Sequence, residues 1–179
     1  MTEEAFRDFF AAQFEAVWYF AVRRTRSAAE ADDVANETFA VAWRRRADIP
    51  SDGGDRMWIF GVARNVLANH RRGANRRDRL RDRMAAVHEP PPAEHEGGDP
   101  AVWQALAALA ETDRDLLLLR FWDGLDVAGM ATMLGVRPAL VSSRLHKAKE
   151  KFRRELRRRD RDAAGQVIDE SHPERSTRP

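Results

Sequence analysis

The sequence predicts an all-α protein: two small helical domains joined by a flexible acidic linker containing Pro and Gly, with a helix-turn-helix in the second. Three observations predict this. Apolar residues recur at three- and four-residue spacing in both halves, and no period-two run marks a strand. Capping residues and Gly- or Pro-bearing breaks separate the apolar stretches. Composition shifts sharply in the middle, at Pro90-Pro91-Pro92 and Gly97-Gly98.

Each element has its own signal. Phe6, Phe9, Phe10, Phe14, Val17 and Trp18 form one aromatic face of a helix over residues 3–20. Ser27 and Glu30 make a capping box, so a second helix starts there and runs to Trp43. Residues 50–54 (Pro-Ser-Asp-Gly-Gly) are a loop. A third helix begins near Asp55 and runs into the Arg-rich stretch from His70 to Arg83. In the second half, Val102 to Leu109 is a helix, and Thr112, with Asp115 three residues on, caps another that reaches Trp122. Asp123-Gly124 is a turn. Asp126 caps a short helix to Leu134, Gly135 takes the left-handed position after it, and Pro138 opens the last, long helix. The expected boundaries are 1–74, a linker at 75–99, 100–159, and a disordered tail at 160–179.

Charge sharpens the division. The 179-residue chain carries a formal net charge of +2. That total hides segregation: residues 1–40 are net −4, 64–83 net +6, 84–115 net −6 and 137–161 net +8. Alternating blocks of this size point to a polyanion partner. Of 31 basic residues 28 are Arg, which fits GC-rich coding and also suits phosphate and guanine. With no cysteine there is no disulfide framework, thiolate metal site or Cys nucleophile. The start Met1-Thr2-Glu3-Glu4 is acidic rather than signal-like, and no apolar run approaches a membrane span. The expectation is a cytoplasmic protein with no metal and no cofactor.

Three constellations carry the functional signal. Residues 126–149 have helix-turn-helix spacing, with Arg137, Leu140, Ser142, Ser143, Arg144, Lys147 and Lys149 on the second helix. Trp58 to Arg72 sets aromatics beside Arg64, Asn65, Asn69, His70, Arg71 and Arg72. Aromatics can stack on unpaired bases, Arg holds phosphates and Asn pairs with base edges, although plain core is the default for Trp58. Residues 32–43 place Asp32, Asp33, Asn36 and Glu37 beside Phe39 and Trp43, either a solvated face or a docking face. No Gly-rich phosphate loop, nucleophile elbow or His-Glu-x-x-His motif occurs.

In this order the motifs resemble the extracytoplasmic-function class of sigma-70-type initiation factors of bacterial RNA polymerase, over residues 5–158. Four stretches carry the likeness: Phe9 to Arg24; the Asp-Asp-Val-Ala-Asn-Glu-Thr-Phe-Ala-Val-Ala-Trp run ending at Trp43; Trp58 to Arg72; and Glu111 through the helix-turn-helix to Ala148. The resemblance implies a non-enzymatic subunit that confers promoter choice. Its partners would be core RNA polymerase (β′ clamp and β flap), promoter DNA and an anti-sigma factor acting in trans, with no small-molecule substrate. Asp32, Asp33, Asn36, Glu37, Phe39 and Trp43 would face the polymerase. Trp58, Arg64, Asn65, Asn69, His70, Arg71 and Arg72 would melt and capture the minus-ten element. The helix from Arg137 to Lys149 would read the minus-thirty-five element. Asn36 departs from the family's usual Gln. Leu140 and Ser142 stand where Thr and Lys are common, and Gly129 replaces a common Glu, removing half of a capping box with Asp126. A stand-alone helix-turn-helix regulator is the alternative, but it leaves residues 32–43 and 58–72 without a role. A small recombinase would need an α/β catalytic domain, which the helical residues 1–74 do not offer.

Overall fold

The computed structural model describes residues 1–81 and 99–169. These form seven helices in chain order, and no strand occurs among the described residues. Helices α1 (Glu3–Val22), α2 (Ala28–Arg44) and α3 (Asp55–Arg81) build the first lobe. Helices α4 (Pro100–Ala107), α5 (Glu111–Phe121), α6 (Val127–Leu134) and α7 (Pro138–Asp169) build the second.

Local chemistry sets the ends. Thr2 caps α1, and Ser27 caps α2 by accepting from the Glu30 amide at 3.2 Å. Glu30 answers by accepting from the Arg26 amide at 2.9 Å, one residue before the expected capping-box partner. Asp126 Oδ1 accepts from the Gly129 amide at 2.6 Å and starts α6. Gly135 ends α6 at φ 64°, a left-handed conformation that costs glycine little. Its amide and that of Val136 then bond back to Thr132 and Ala131 at 3.2 and 3.0 Å.

Three boundaries differ from the sequence expectation. Thr112 does not cap α5: the helix starts at Glu111 behind Ala110, without a side-chain cap. The Asp115 carboxylate is held by Arg24 at 2.6 Å. Helix α3 continues to Arg81, through positions expected to begin the linker. Helix α7 continues to Asp169, through much of the expected tail. The α3 extension is rich in Arg, the α7 extension holds Ala163, Ala164 and Gln166, and neither contains proline, so no proline stops a helix already nucleated on the core. The rest of the linker and the tail beyond Asp169 lie outside the described residues.

Phe6, Phe9, Phe10 and Phe14 of α1 meet Phe39 and Trp43 of α2. Phe39 takes edge contacts from Phe10 at 4.7 Å and from Phe9 at 6.2 Å between ring centroids. Phe20 and Phe60 tie α1 to α3 at 5.4 Å. In the second lobe Leu116 to Leu119, Leu125, Met130, Val141 and Leu145 are buried. The buried residues of both lobes form one continuous core, because α3 packs on α6.

An ionic cluster lies beside that seam. Arg24, 2% exposed at its side chain, donates from Nη2 to Asp123 Oδ2 at 2.7 Å and from Nε to Asp115 Oδ1 at 2.6 Å. Its Nη1 donates to the Phe20 carbonyl at 3.0 Å, and its guanidinium stacks 3.8 Å from the Phe20 ring centroid. Arg23 donates to the other Asp123 oxygen at 2.9 Å, and Arg56 donates to the Asp123 carbonyl at 3.2 Å. Burial pushes the Asp123 carboxyl above the usual carboxylate range, against the opposing pull of Arg24 and Arg23.

Removing one partner of a buried pair leaves the other charge uncompensated. Arg24→Ala is therefore expected to destabilise the closed arrangement by about 3–5 kcal/mol. Small-angle scattering should show a larger radius of gyration, and urea denaturation should split into two steps. A single unshifted transition with an unchanged radius would contradict this.

Candidate nucleic-acid interface

Helices α2 and α3 run side by side and leave an open groove between them. Asp33, Asn36 and Glu37 line one wall, Asn69 and His70 the other, with Val41 and Val66 between. The groove brings residues of the expected docking set against residues of the expected strand-capture set. Helix period explains the exposed wall: Val34, Ala35, Thr38 and Phe39 turn inward, so Asp33, Asn36 and Glu37 turn out.

The six docking candidates do not share one environment. Asp33, Asn36, Glu37 and Trp43 are exposed. Asp32 is exposed but bonded: Trp18 Nε1 donates to its Oδ1 at 2.6 Å, tying α1 to α2. Glu37 pairs with Arg44 at 3.0 Å, and the Arg46 guanidinium lies 4.5 Å from the Trp43 ring centroid. Phe39 is a correction. It is only 4% exposed, enclosed by the α1 phenylalanines, and presents no ring to a partner.

On α3, Arg64, Asn65, Asn69 and Arg72 are exposed, while His70 and Arg71 are half-buried. Asn65 has no hydrogen-bond partner among the described residues. Arg72 donates to Asn69 Oδ1. Trp58 is half-buried against the core beneath the Arg45 guanidinium, 5.6 Å away, which supports the plain-core role. Carboxylates of the second lobe reach this helix. Arg71 forms an ion pair with Glu111, and Arg64 Nε lies 4.0 Å from Asp115 Oδ2. Arg71 also donates to the Arg24 carbonyl at 3.1 Å.

Arg137, just before α7, and Leu140, Ser142, Ser143, Arg144 and Lys147 on it are exposed. Val141, Leu145 and Ala148 face the core. Lys149 departs from the set: it is half-buried, turned back toward α5, with its ammonium 5.3 Å from the Phe121 ring centroid. It lies about 200° around the helix from Lys147, at roughly 100° per residue.

Residues 10–77 match the family model for sigma-70 region 2, and residues 100–152 match that for sigma-70 region 4. The chain belongs to the sigma-70 family. A curated relative, the extracytoplasmic-function RNA polymerase sigma factor SigL of Mycobacterium tuberculosis, is 33% identical over 145 residues, covering 74% of this chain and 77% of SigL. RfaY of Xanthomonas campestris, a probable RNA polymerase sigma factor, is 31% identical over 75% of this chain and 36% of its own length. Among solved structures, the sigma factor RpoE from Bartonella quintana, crystallised with the anti-sigma factor NepR, superposes with a TM-score of 0.71. It is 21% identical, with 86% of this chain and 98% of that one covered. The chain is thus an RNA polymerase sigma factor of the extracytoplasmic-function class, all-helical, with regions 2 and 4 as its two lobes.

The sequence did not single out the seam between the regions. Gly129 of region 4 abuts Met57 of region 2 so closely that a Cβ there would lie 2.6 Å from the Met57 sulfur. Real Cβ atoms essentially never show so short a contact. Gly129, an apparent loss of capping strength, leaves the room against α6 that the Met57 thioether fills. Arg24 and Asp123 looked like an ordinary helix end and turn; only a pairing of Arg-Arg with the Trp-Asp-Gly turn could have drawn attention to them. Among the described residues no group of three or more His, Asp or Glu is placed to hold a metal, and no helix is long and apolar enough to cross a membrane.

Two outcomes follow. Phe39→Ala should lower stability by about 3–5 kcal/mol, as an aromatic core truncation does; a loss below about 1 kcal/mol in urea melts would place Phe39 at the surface. Gly129→Glu displaces the Met57 side chain and sets a carboxylate against the seam, so it should loosen the α3–α6 contact without unfolding either region. Paired labels on α3 and α6 would report a longer distance, with helicity by circular dichroism retained.

Proposed function

We propose that region 2 docks on core RNA polymerase through Asp33, Asn36, Glu37 and Trp43 and captures the melted minus-ten strand with Asn65, Arg64 and Asn69. Asp32 supports that face indirectly, through its bond to Trp18. Arg71, Arg72 and His70 hold backbone phosphate beside it. Region 4 presents Arg137, Leu140 and Ser143 to the major groove of the minus-thirty-five element, and Arg144 and Lys147 to its phosphates. The domains are taken as residues 1–74 and 100–159. The protein acts in the cytoplasm, catalyses no reaction itself, and is held inactive by an anti-sigma factor in trans. The neighbour crystallised with NepR supports that last point.

One observation carries this reading: Glu111 and Asp115 engage Arg71 and Arg64. Carboxylates of region 4 occupy the place that strand phosphates would take on α3. A guanidinium binds either anion with the same fork of donors, so the closed arrangement and strand capture exclude each other at these residues. Core polymerase must select the open form to release α3.

Run-off transcription with core polymerase on GC-rich genomic fragments tests the assignment. Specific starts are expected; none on any template would refute it. Asn65→Ala should abolish permanganate-reactive open complex while leaving core binding intact. Equal loss of both would make Asn65 a structural residue.

A further inference from the structure

The match to region 4 ends at residue 152, but α7 continues to Asp169. The continuation is not a loose appendage. Leu156 is half-buried, and Arg159 Nη1 donates to Gln104 Oε1 of α4 at 3.1 Å. One side of the distal helix is therefore fixed to the region 4 body, and the other side is fixed outward.

That outward side is basic at every step. Arg144, Lys147, Lys151, Arg154, Arg158 and Arg161 follow one another at alternating three- and four-residue spacing, and all are exposed. This spacing keeps them on one stripe of the helix. At about 1.5 Å rise per residue the stripe runs roughly 25 Å from Arg144 to Arg161. Lys151 pairs with Asp113 at 2.5 Å and Arg158 with Glu155 at 3.1 Å. Arg144, Lys147, Arg154 and Arg161 have no acidic partner among the described residues.

The stripe begins on the turns assigned to the major groove. A straight helix cannot follow a groove that curves around a cylinder, so only its first turns reach base edges. The distal arginines would then lie where the helix leaves the groove and passes the sugar–phosphate backbone. Guanidinium groups suit that backbone, and nothing at the stripe positions supplies a base-reading amide.

We propose that the distal half of α7, through Arg154, Arg158 and Arg161, is a second duplex-DNA site that grips backbone phosphates flanking the element read by the first turns. It is sequence-independent and adds affinity rather than promoter choice. The proposal rests on the reading that α7 enters the major groove.

The test uses the full chain, because the stripe is exposed in the closed arrangement. Fluorescence anisotropy would follow its binding to a GC-rich 30-base-pair duplex across a KCl series, a probe length of about three helical turns. The triple variant Arg154→Gln/Arg158→Gln/Arg161→Gln keeps helix-forming side chains. It should lower the slope of log K against log[KCl] by about two to three units, since each phosphate contact contributes about 0.9. Arg144→Gln should lower it by about one. An unchanged slope in the triple variant beside a lowered slope in Arg144→Gln would overturn the distal site and leave the groove reading intact. No binding by the parent chain, or no effect of either variant, would overturn both. A triple variant with parental DNA binding but weakened binding to core polymerase would assign the stripe to a protein partner and overturn the proposal.

Discussion

The arrangement of the two regions depends on one buried guanidinium. Arg24 sits at the end of α1, flat on the Phe20 ring, and shares its donors among Asp115, Asp123 and the Phe20 carbonyl. Its side chain and that of Asp123 are almost wholly shielded from solvent. Such a cluster adds little net stability, because both signs of charge are desolvated. Its consequence is geometric: Asp123 and Asp115 can satisfy Arg24 in one relative placement of the regions. The α3–α6 contact at Gly129 and Met57 then closes tightly.

The same geometry links folding to function. Region 4 packs on α3 through α6, and Glu111 and Asp115 of α5 reach Arg71 and Arg64 on the helix assigned to bind the melted strand. A protein whose partner is a polyanion thus sets two of its own carboxylates against that helix. On the proposed reading this pairing is intramolecular and would compete with the strand at high effective concentration. Its displacement would then require contacts made only in the open form, supplied by core polymerase. The distal arginines of α7 are exposed in the closed arrangement, so that surface is available without the regions parting.

Much of the fold was legible in the sequence. Ser27, Asp126 and Gly135 act through neighbours within four residues, and local chemistry of that range is written directly in the chain. The helix-turn-helix and the exposed wall of α2 follow from period alone. Phe39 and Lys149 were misplaced for a related reason. Period gives the direction of a side chain but not what stands opposite, and what stands opposite is a phenylalanine cluster for one and the Phe121 ring for the other. Thr112 failed as a cap because α5 starts one residue earlier, at Glu111 behind Ala110, while the Asp115 side chain is drawn to Arg24, far away in sequence.

The sequence by itself determined the class. All-helical architecture, two charge-segregated halves and four motifs in order identified an extracytoplasmic-function sigma factor before any coordinate was needed, because these features are local or periodic. Only the tertiary structure decided how the halves meet. The ionic cluster joins residues about a hundred positions apart, at a turn whose Asp-Gly looks like any other. Gly129 reads as a weak helix start until Met57 is seen against it. Such contacts leave no period and no spacing to read, since their partners are brought together only by the closing of one lobe on the other.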